Sequence, residues 1–261
     1  MSVITLMTDF GTRDHYVAAM KGMILQINPD VTIVDITHEI NAQDLFRAAF
    51  VLRQSFPYFP PRTVCAAVVD PTVGPNRRII AARYNGRIVI APDNGLITLL
   101  HRDADLEEIR AVENRRYCAG RISSTFHGRD IIAPVAAHLS LGVSMDQLGP
   151  VIDQIEVLNI AKPQVNNDGT INGEIILIDH FGNLITNISE LDLSAARTKR
   201  IHLDVMVGDH QIGPIRNTYA DVAGGEPLAL VGSSQMLEIA VNMGNAAQTL
   251  DIRPGTPVSL R

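Results

Sequence analysis

Tryptophan is absent from this 261-residue chain, and five Tyr and seven Phe bring the aromatic content to only 5%. Such a composition poorly supplies an exposed platform for stacking bases. Lysine is scarce as well, since only Lys21, Lys162 and Lys199 occur, and 28 acidic residues outnumber 22 Lys and Arg to give a net charge of −6. A groove that follows a phosphate backbone needs the opposite balance, so no nucleic-acid partner is expected. The two cysteines, Cys65 and Cys118, are far apart and form no CxxC pair, which excludes a disulfide framework and a thiolate zinc site. Long apolar runs are missing too. The longest, Ile131 to Val143, is interrupted by Pro134, His138 and Ser140 and falls short of the ~20 residues of a membrane span, so no membrane association is expected. The opening residues lack a basic region and reach Asp9 too early for a secretory signal, which points to the cytoplasm.

What is present is an ordinary globular balance, 46% hydrophobic and 19% charged, in a chain long enough for one large or two moderate domains. From residue 3 to about 160, β-branched runs alternate with helical patterns. Val3–Met7, Thr32–Ile36, Thr63–Val69, Ile79–Tyr84 and Arg87–Ala91 read as strands, and Tyr16–Ile27 and Ala42–Phe56 as helices with one apolar face. The near-continuous apolarity of Val64-Cys-Ala-Ala-Val-Val69 predicts a strand covered on both faces. After Lys162-Pro163 and Asn166-Asn-Asp-Gly169 the helical periodicity nearly disappears. Ile201–Val207, Glu174–Ile178, Pro227–Val231, Met236–Val241 and Thr256–Leu260 read as short strands of a small antiparallel barrel or sandwich. The expected organisation is an α/β sheet domain over 1–160 with helices on both faces, followed by a smaller β domain over 161–261.

Four polar clusters sit at strand ends or turns, where α/β proteins place ligands. Asp9 follows the first strand and can accept two hydrogen bonds, which suits a vicinal diol. Asp14, five residues on, is a substrate contact by the same logic or the cap of the helix starting near His15. Asp70 and Arg77 flank a turn rich in Pro and Gly. His127 opens a helical segment, where the positive dipole end favours a neutral imidazole. Asp179-His-Phe-Gly-Asn183 reads as a hairpin turn that can still carry a site. The eight histidines show no HxH or HExxH spacing, so no metal is expected.

Together these clusters resemble the family of S-adenosylmethionine hydrolases, the SAM hydroxide adenosyltransferases, which are relatives of fluorinase and chlorinase enzymes. The resemblance rests on Thr8-Asp9-Phe-Gly11, Ile33-Val-Asp-Ile-Thr-His38, Val68-Val-Asp-Pro71, Ile90-Ala-Pro-Asp-Asn-Gly95, Phe126-His-Gly-Arg-Asp130, Asp179-His-Phe-Gly-Asn183 and Leu237-Glu-Ile-Ala-Val-Asn242. Thr72 and Gln235 stand where the family pattern has glycine. The resemblance implies attack of water on the ribose C5′ of S-adenosyl-L-methionine without any cofactor. Its catalytic trio maps onto Asp70, Arg77 and His127, and its ribose contact onto Asp9. It also implies that Asn183 meets the adenine edge with Phe181 stacked on it, that Asp179 and Ser233 face the methionine end, and that Glu238 and the backbone near Val241 help hold adenine. Finally it implies a C-terminal β-barrel and a homotrimer whose sites lie between one subunit's first domain and its neighbour's second. A halogenase on the same substrate and a non-catalytic adenosine-binding module are the rival readings. An anion nucleophile should avoid Asp70, where the halogenases carry Tyr, and a mere binder has no need of the trio.

Overall fold

The computed structural model describes residues 2–74, 77–200 and 202–261. The chain divides into two compact units, residues 1–159 and 160–261.

The first unit begins with β1 (Val3–Thr8), α1 (Tyr16–Ile27), β2 (Thr32–Thr37), α2 (Leu45–Ser55) and β3 (Val64–Val68). It continues with β4 (Ile79–Tyr84), β5 (Arg87–Pro92), α3 (Thr98–Asp103), β6 (Leu106–Ala111) and α4 (Ala133–Ser140). Its sheet has the order β2-β1-β3-β5-β4-β6, with the first four strands parallel and β4 antiparallel to both its neighbours. Side chains that alternate along β3 explain the apolar run. Val64, Ala66 and Val68 face a core shared with Met20 and Ile24 of α1 and Val135 and Leu139 of α4, whereas Cys65, Ala67 and Val69 face Leu52 of α2 and Leu100 of α3. Helices therefore cover both faces, and each fully buried aliphatic side chain contributes roughly 1.5–3 kcal/mol. Cys65 is core, and burial pushes its thiol up to about 12, which leaves it inert.

Two elements of this unit, α3 and β6, are absent from the strands and helices read in the sequence. The helix α2 starts three residues later than its apolar pattern, where the Asp44 side chain accepts from the Arg47 N–H. Asp14, by contrast, does not cap α1: the cap position is His15, and no side-chain bond is made there. The segment leading to residue 159 is stitched to this unit by Asp93, which accepts from Arg78 and from the Glu156 N–H, and by the Leu158 N–H bond to Thr98.

The second unit contains β7 (Gln164–Val165), β8 (Ile171–Ile178), β9 (Leu184–Ser189), α5 (Glu190–Arg197), β10 (Asp204–Val207) and β11 (His210–Arg216). It ends with β12 (Pro227–Val231), β13 (Met236–Val241), α6 (Ala246–Thr249) and β14 (Pro257–Leu260). Strands β14-β10-β11-β12-β13-β9-β8 form a ring that the β14–β8 pairing closes into a seven-stranded barrel, with β7 appended to β8. Closure removes the sheet edges. Ile201, read as the start of a strand, lies outside the described residues, and β10 begins at Asp204.

One pair departs from the expected antiparallel pattern. β11 and β12 run parallel, because residues 217–226 carry the chain back across the barrel instead of turning tightly. In the β12–β13 hairpin, Gln235 has φ 61, the left-handed region that explains a family preference for glycine. The left-handed penalty of about 1–2 kcal/mol exceeds the roughly 0.5–1 kcal/mol by which glycine favours the unfolded chain. Gln235→Gly is accordingly expected to raise stability by up to about 1 kcal/mol in a denaturant titration. Thr72 has no positive φ, so its turn does not require glycine.

Candidate active site

The order β2-β1-β3 makes the space between β1 and β3 a switch point, since the connections leave β1 and β3 in opposite directions. Ligands of open α/β sheets bind outside the carboxyl ends of the strands at such a point. Asp9 follows the last residue of β1, and Asp70 stands two residues beyond β3. Both line a cavity of about 710 Å³, together with Gln43, Phe126 and His127.

Asp9 is held by the loop after β2: its Oδ2 accepts from the Gln43 N–H at 2.9 Å. Gln43 has φ 68, an uncommon conformation for a non-glycine residue and one that clusters at functional sites. Asp70 is clamped by Arg77, whose Nε donates to Oδ1 at 3.1 Å and whose second terminal nitrogen donates to Oδ2, with both side chains 7% exposed. The same guanidinium reaches His127 Nδ1 at 3.1 Å. A guanidinium can only donate, so Nδ1 is the acceptor and carries no proton. Asn94 steadies the base of Asp70 by donating to the Val69 carbonyl at 2.9 Å, and Thr72 Oγ1 donates to Asp70 Oδ1 at 3.4 Å.

His127 immediately precedes a π-helical turn, Gly128–Ile132, that runs into α4, and turns of this kind are frequent at functional sites. Burial foremost, then the Arg77 charge, pushes the imidazole below its ordinary 6.5, against the opposing pull of Asp70 and Asp130. The ring is also hydrogen-bonded to the Ser123 main chain. Asp130 secures that contact, because its Oδ2 accepts the Ser123 N–H while Arg129 bonds both carboxylate oxygens. Burial alone would raise the Asp130 pKa; the bonds from Arg129 and Ser123 outweigh it and hold the carboxylate below its ordinary value. A neutral His127 is therefore the resting form near pH 7. In an NMR titration its ring signals should shift with a midpoint below 6.5, and a midpoint at or above that value would contradict the arrangement.

Of the seven Phe and five Tyr residues, Phe10, Tyr16 and Phe126 meet at the cavity with ring centroids 5.2–5.8 Å apart. Overall scarcity of aromatics concealed this cluster. Gln43 was missed for a different reason: its role lies in a backbone N–H and a strained dihedral, neither of which a residue type announces. Asp14 is exposed and stands outside the cavity wall.

The second unit carries its own cluster. The Asp179 carboxylate organises the β8–β9 turn, accepting from the N–H groups of Phe181 and Asn183 and from Asn183 Nδ2. Gly182 has φ +86, and a Cβ there would meet Asn245 at 2.1 Å, so only glycine fits. Phe181 is left 72% exposed while Asn183 is buried. Glu238, buried on β13, accepts from the Tyr219 hydroxyl at 2.7 Å. Its pKa is raised by burial first and by the nearby Asp179 charge, with Tyr219 opposing. Tyr219 was invisible in the sequence because the parallel β11–β12 crossover delivers it. Ser233 is exposed in the β12–β13 turn, and Val241 is buried at the end of β13. Among the described residues, no group of three or more His, Cys, Asp or Glu could hold a metal. No helix among them is long and apolar enough to cross a membrane.

The chain therefore combines an acid–guanidinium–imidazole constellation at the switch point of an α/β sheet with a closed β-barrel. Family models match both units: the SAM hydroxide adenosyltransferase N-terminal domain matches residues 4–149, and its C-terminal domain matches residues 173–259. The chain belongs to the SAM hydroxide adenosyltransferase family. An (R)-S-adenosyl-L-methionine hydrolase of Thermus thermophilus is 38% identical over the whole of both chains, and one of Salinispora tropica is 37% identical over 97% of this chain and 95% of its own. A fluorinase of Actinoplanes sp. is more distant, 31% identical over 99% and 97%. A crystal structure of an uncharacterized conserved protein from Thermotoga maritima, 37% identical, superposes with a TM-score of 0.90 over 100% of this chain and 99% of its own.

Proposed function

We propose that the protein hydrolyses S-adenosyl-L-methionine to adenosine and L-methionine. The observation that carries this reading is the buried Asp70–Arg77 pair whose guanidinium also engages His127, facing a cavity that Asp9 shares. Water oxygen attacks the ribose C5′, the C5′–S bond breaks, and its electron pair returns to sulfur, which leaves as the neutral thioether of methionine. A sulfonium needs no Lewis acid to depart, so no metal or cofactor is required. The protein's task is alignment of the water with that bond, and fixed attack geometry is worth roughly 7–11 kcal/mol.

Asp70 is the proton acceptor in this scheme. Both ring nitrogens of His127 are engaged, one accepting from Arg77 and the other donating to the Ser123 carbonyl, whereas the Asp70 oxygens keep lone pairs beyond those Arg77 uses. Arg77 orients the acid and the water, and His127 holds Arg77 in place. Asp9 holds the ribose diol. Adenine stacks on the exposed Phe181 and meets Asn183, with Glu238 and the backbone at Val241 nearby, while Asp179 and Ser233 face the amino-acid end. The names of the hydrolase relatives support the (R)-sulfonium epimer as substrate. A homotrimer in the cytoplasm, with each site shared between neighbouring subunits, completes the reading, and light scattering would test it by returning the mass of three chains.

The halogenase alternative is disfavoured by the Asp70 carboxylate, which repels a halide. Incubation with S-adenosylmethionine followed by chromatography decides among the readings. Equal amounts of adenosine and methionine are expected; a 5′-halo nucleoside formed only with added halide, or unchanged substrate, would overturn the proposal.

A further inference from the structure

The segment Ile33-Val-Asp-Ile-Thr-His38 takes no part in the reaction just described, yet it ends in a buried histidine beside Asp9. His38 is 5% exposed, and its Nδ1 lies 2.9 Å from Thr8 Oγ1. Its Nε2 stands 3.0 Å from Asp35 Oδ1, and Lys21 Nζ donates to the other Asp35 oxygen at 2.6 Å. Thr8 Oγ1 in turn accepts the Phe10 N–H at 3.2 Å.

Asp35 can only accept, so the ring proton that faces it at 3.0 Å sits on Nε2, an ion-pair contact outside hydrogen-bond alignment, and Nδ1 accepts from the Thr8 hydroxyl. The hydroxyl oxygen is then free for the Phe10 N–H. Donation runs in one direction, from the turn toward Asp35, and the two residues it pins, Thr8 and Phe10, flank Asp9. The His38 carbonyl adds a second hold by accepting the Gly11 N–H at 2.8 Å.

The order Asp35–His38–Thr8 is also that of an acid–base–hydroxyl triad. A nucleophile must reach its substrate, however, and Thr8 is fully buried with its oxygen occupied by Phe10. We propose instead that Asp35, His38 and Thr8 are positioning residues, a relay of one ion-pair contact and two hydrogen bonds that fixes the turn carrying Asp9 and thereby sets affinity for the vicinal diol of the nucleoside. The proposal rests on the reading of Asp9 as the diol's acceptor. Asp9 is thus held twice from β2 and the loop after it: the relay sets its backbone, and the Gln43 N–H orients its Oδ2.

The test is binding of adenosine and of 2′,3′-dideoxyadenosine to the full-length protein by calorimetry, with steady-state kinetics alongside. Wild type should prefer adenosine, and Asp9→Asn should abolish the preference; a wild type blind to the diol would overturn the reading of Asp9 itself. Given that preference, the isosteric Thr8→Val should weaken adenosine about tenfold, in line with the loss of a bond that aligns a charged acceptor. Dideoxyadenosine affinity should stay unchanged, and KM should rise with kcat preserved. Thr8→Ser, which keeps the hydroxyl, should restore wild-type affinity. Unaltered adenosine binding by Thr8→Val, or equal weakening of both ligands, would overturn the relay while leaving the Asp9 reading intact. If Thr8→Val does not fold, Asp35→Ala cuts the relay at its solvent-facing end and must show the same selective loss.

Discussion

Replacing Asp70 by Asn lowers turnover about 10²–10⁴-fold, the range a positioned general base contributes, and leaves adenosine binding nearly unchanged. The amide keeps the shape of the carboxylate and can still accept one bond from Arg77. It cannot take a proton from the attacking water. In the proposed scheme the ground-state contacts to the nucleoside fall to other residues, chiefly Asp9 just beyond β1, so the loss should fall on kcat and not on product affinity. Single-turnover kinetics paired with calorimetry of adenosine binding reads both quantities. A variant that hydrolyses at the wild-type rate would remove Asp70 from the chemistry; one that no longer binds adenosine would assign it to binding instead.

The sequence displayed the residues of this site more clearly than their grouping. Asp9, Asp70, Arg77 and His127 stand out as polar residues at strand ends, a turn and a helix start, and the near-continuous apolarity of Val64–Val69 announces a strand buried on both sides. Their convergence depends on strand order, which hydrophobic period does not encode: β1 and β3 are neighbours because the chain reverses its winding between them. The same limit hid the crossover between β11 and β12, because a strand pattern is blind to the direction of its partner, and with it the bond between Tyr219 and Glu238. Histidine 38 shows a further limit. Its spacing of three from Asp35 is visible, but its partner Thr8 is thirty residues away and meets it only because β1 and β2 pair in parallel register. Local signals were present but unread at the Asp44 cap of α2 and at the Ser189–Asp192 capping box of α5, a short helix that the loss of helical periodicity after residue 169 hid.

Arg77→Met should cost about 3–5 kcal/mol of stability, the usual consequence of leaving one member of a buried ion pair without its partner. Asp70 is 7% exposed at the side chain, and Arg77 supplies both of its strong donors. Against a typical total of about 5–15 kcal/mol, that loss is large enough to read directly in a denaturant titration. The double variant Asp70→Asn/Arg77→Met removes both charges, so most of the lost stability should return even though two native contacts are gone. Activity should not return with it. That separation is the informative result, because it distinguishes a pair retained for folding from one retained for chemistry: the stability of the double variant measures the coupling between the two groups, and its turnover measures what the coupling is for. Arg77→Lys extends the argument. Lysine keeps the charge but lacks the planar fork that reaches both Asp70 oxygens and His127 Nδ1 at once. It should therefore recover more stability than Met does while turnover stays low. An Arg77→Met protein that unfolds at the wild-type denaturant midpoint would show that water already screens the pair, and the desolvated acceptor assigned to Asp70 would have to be abandoned.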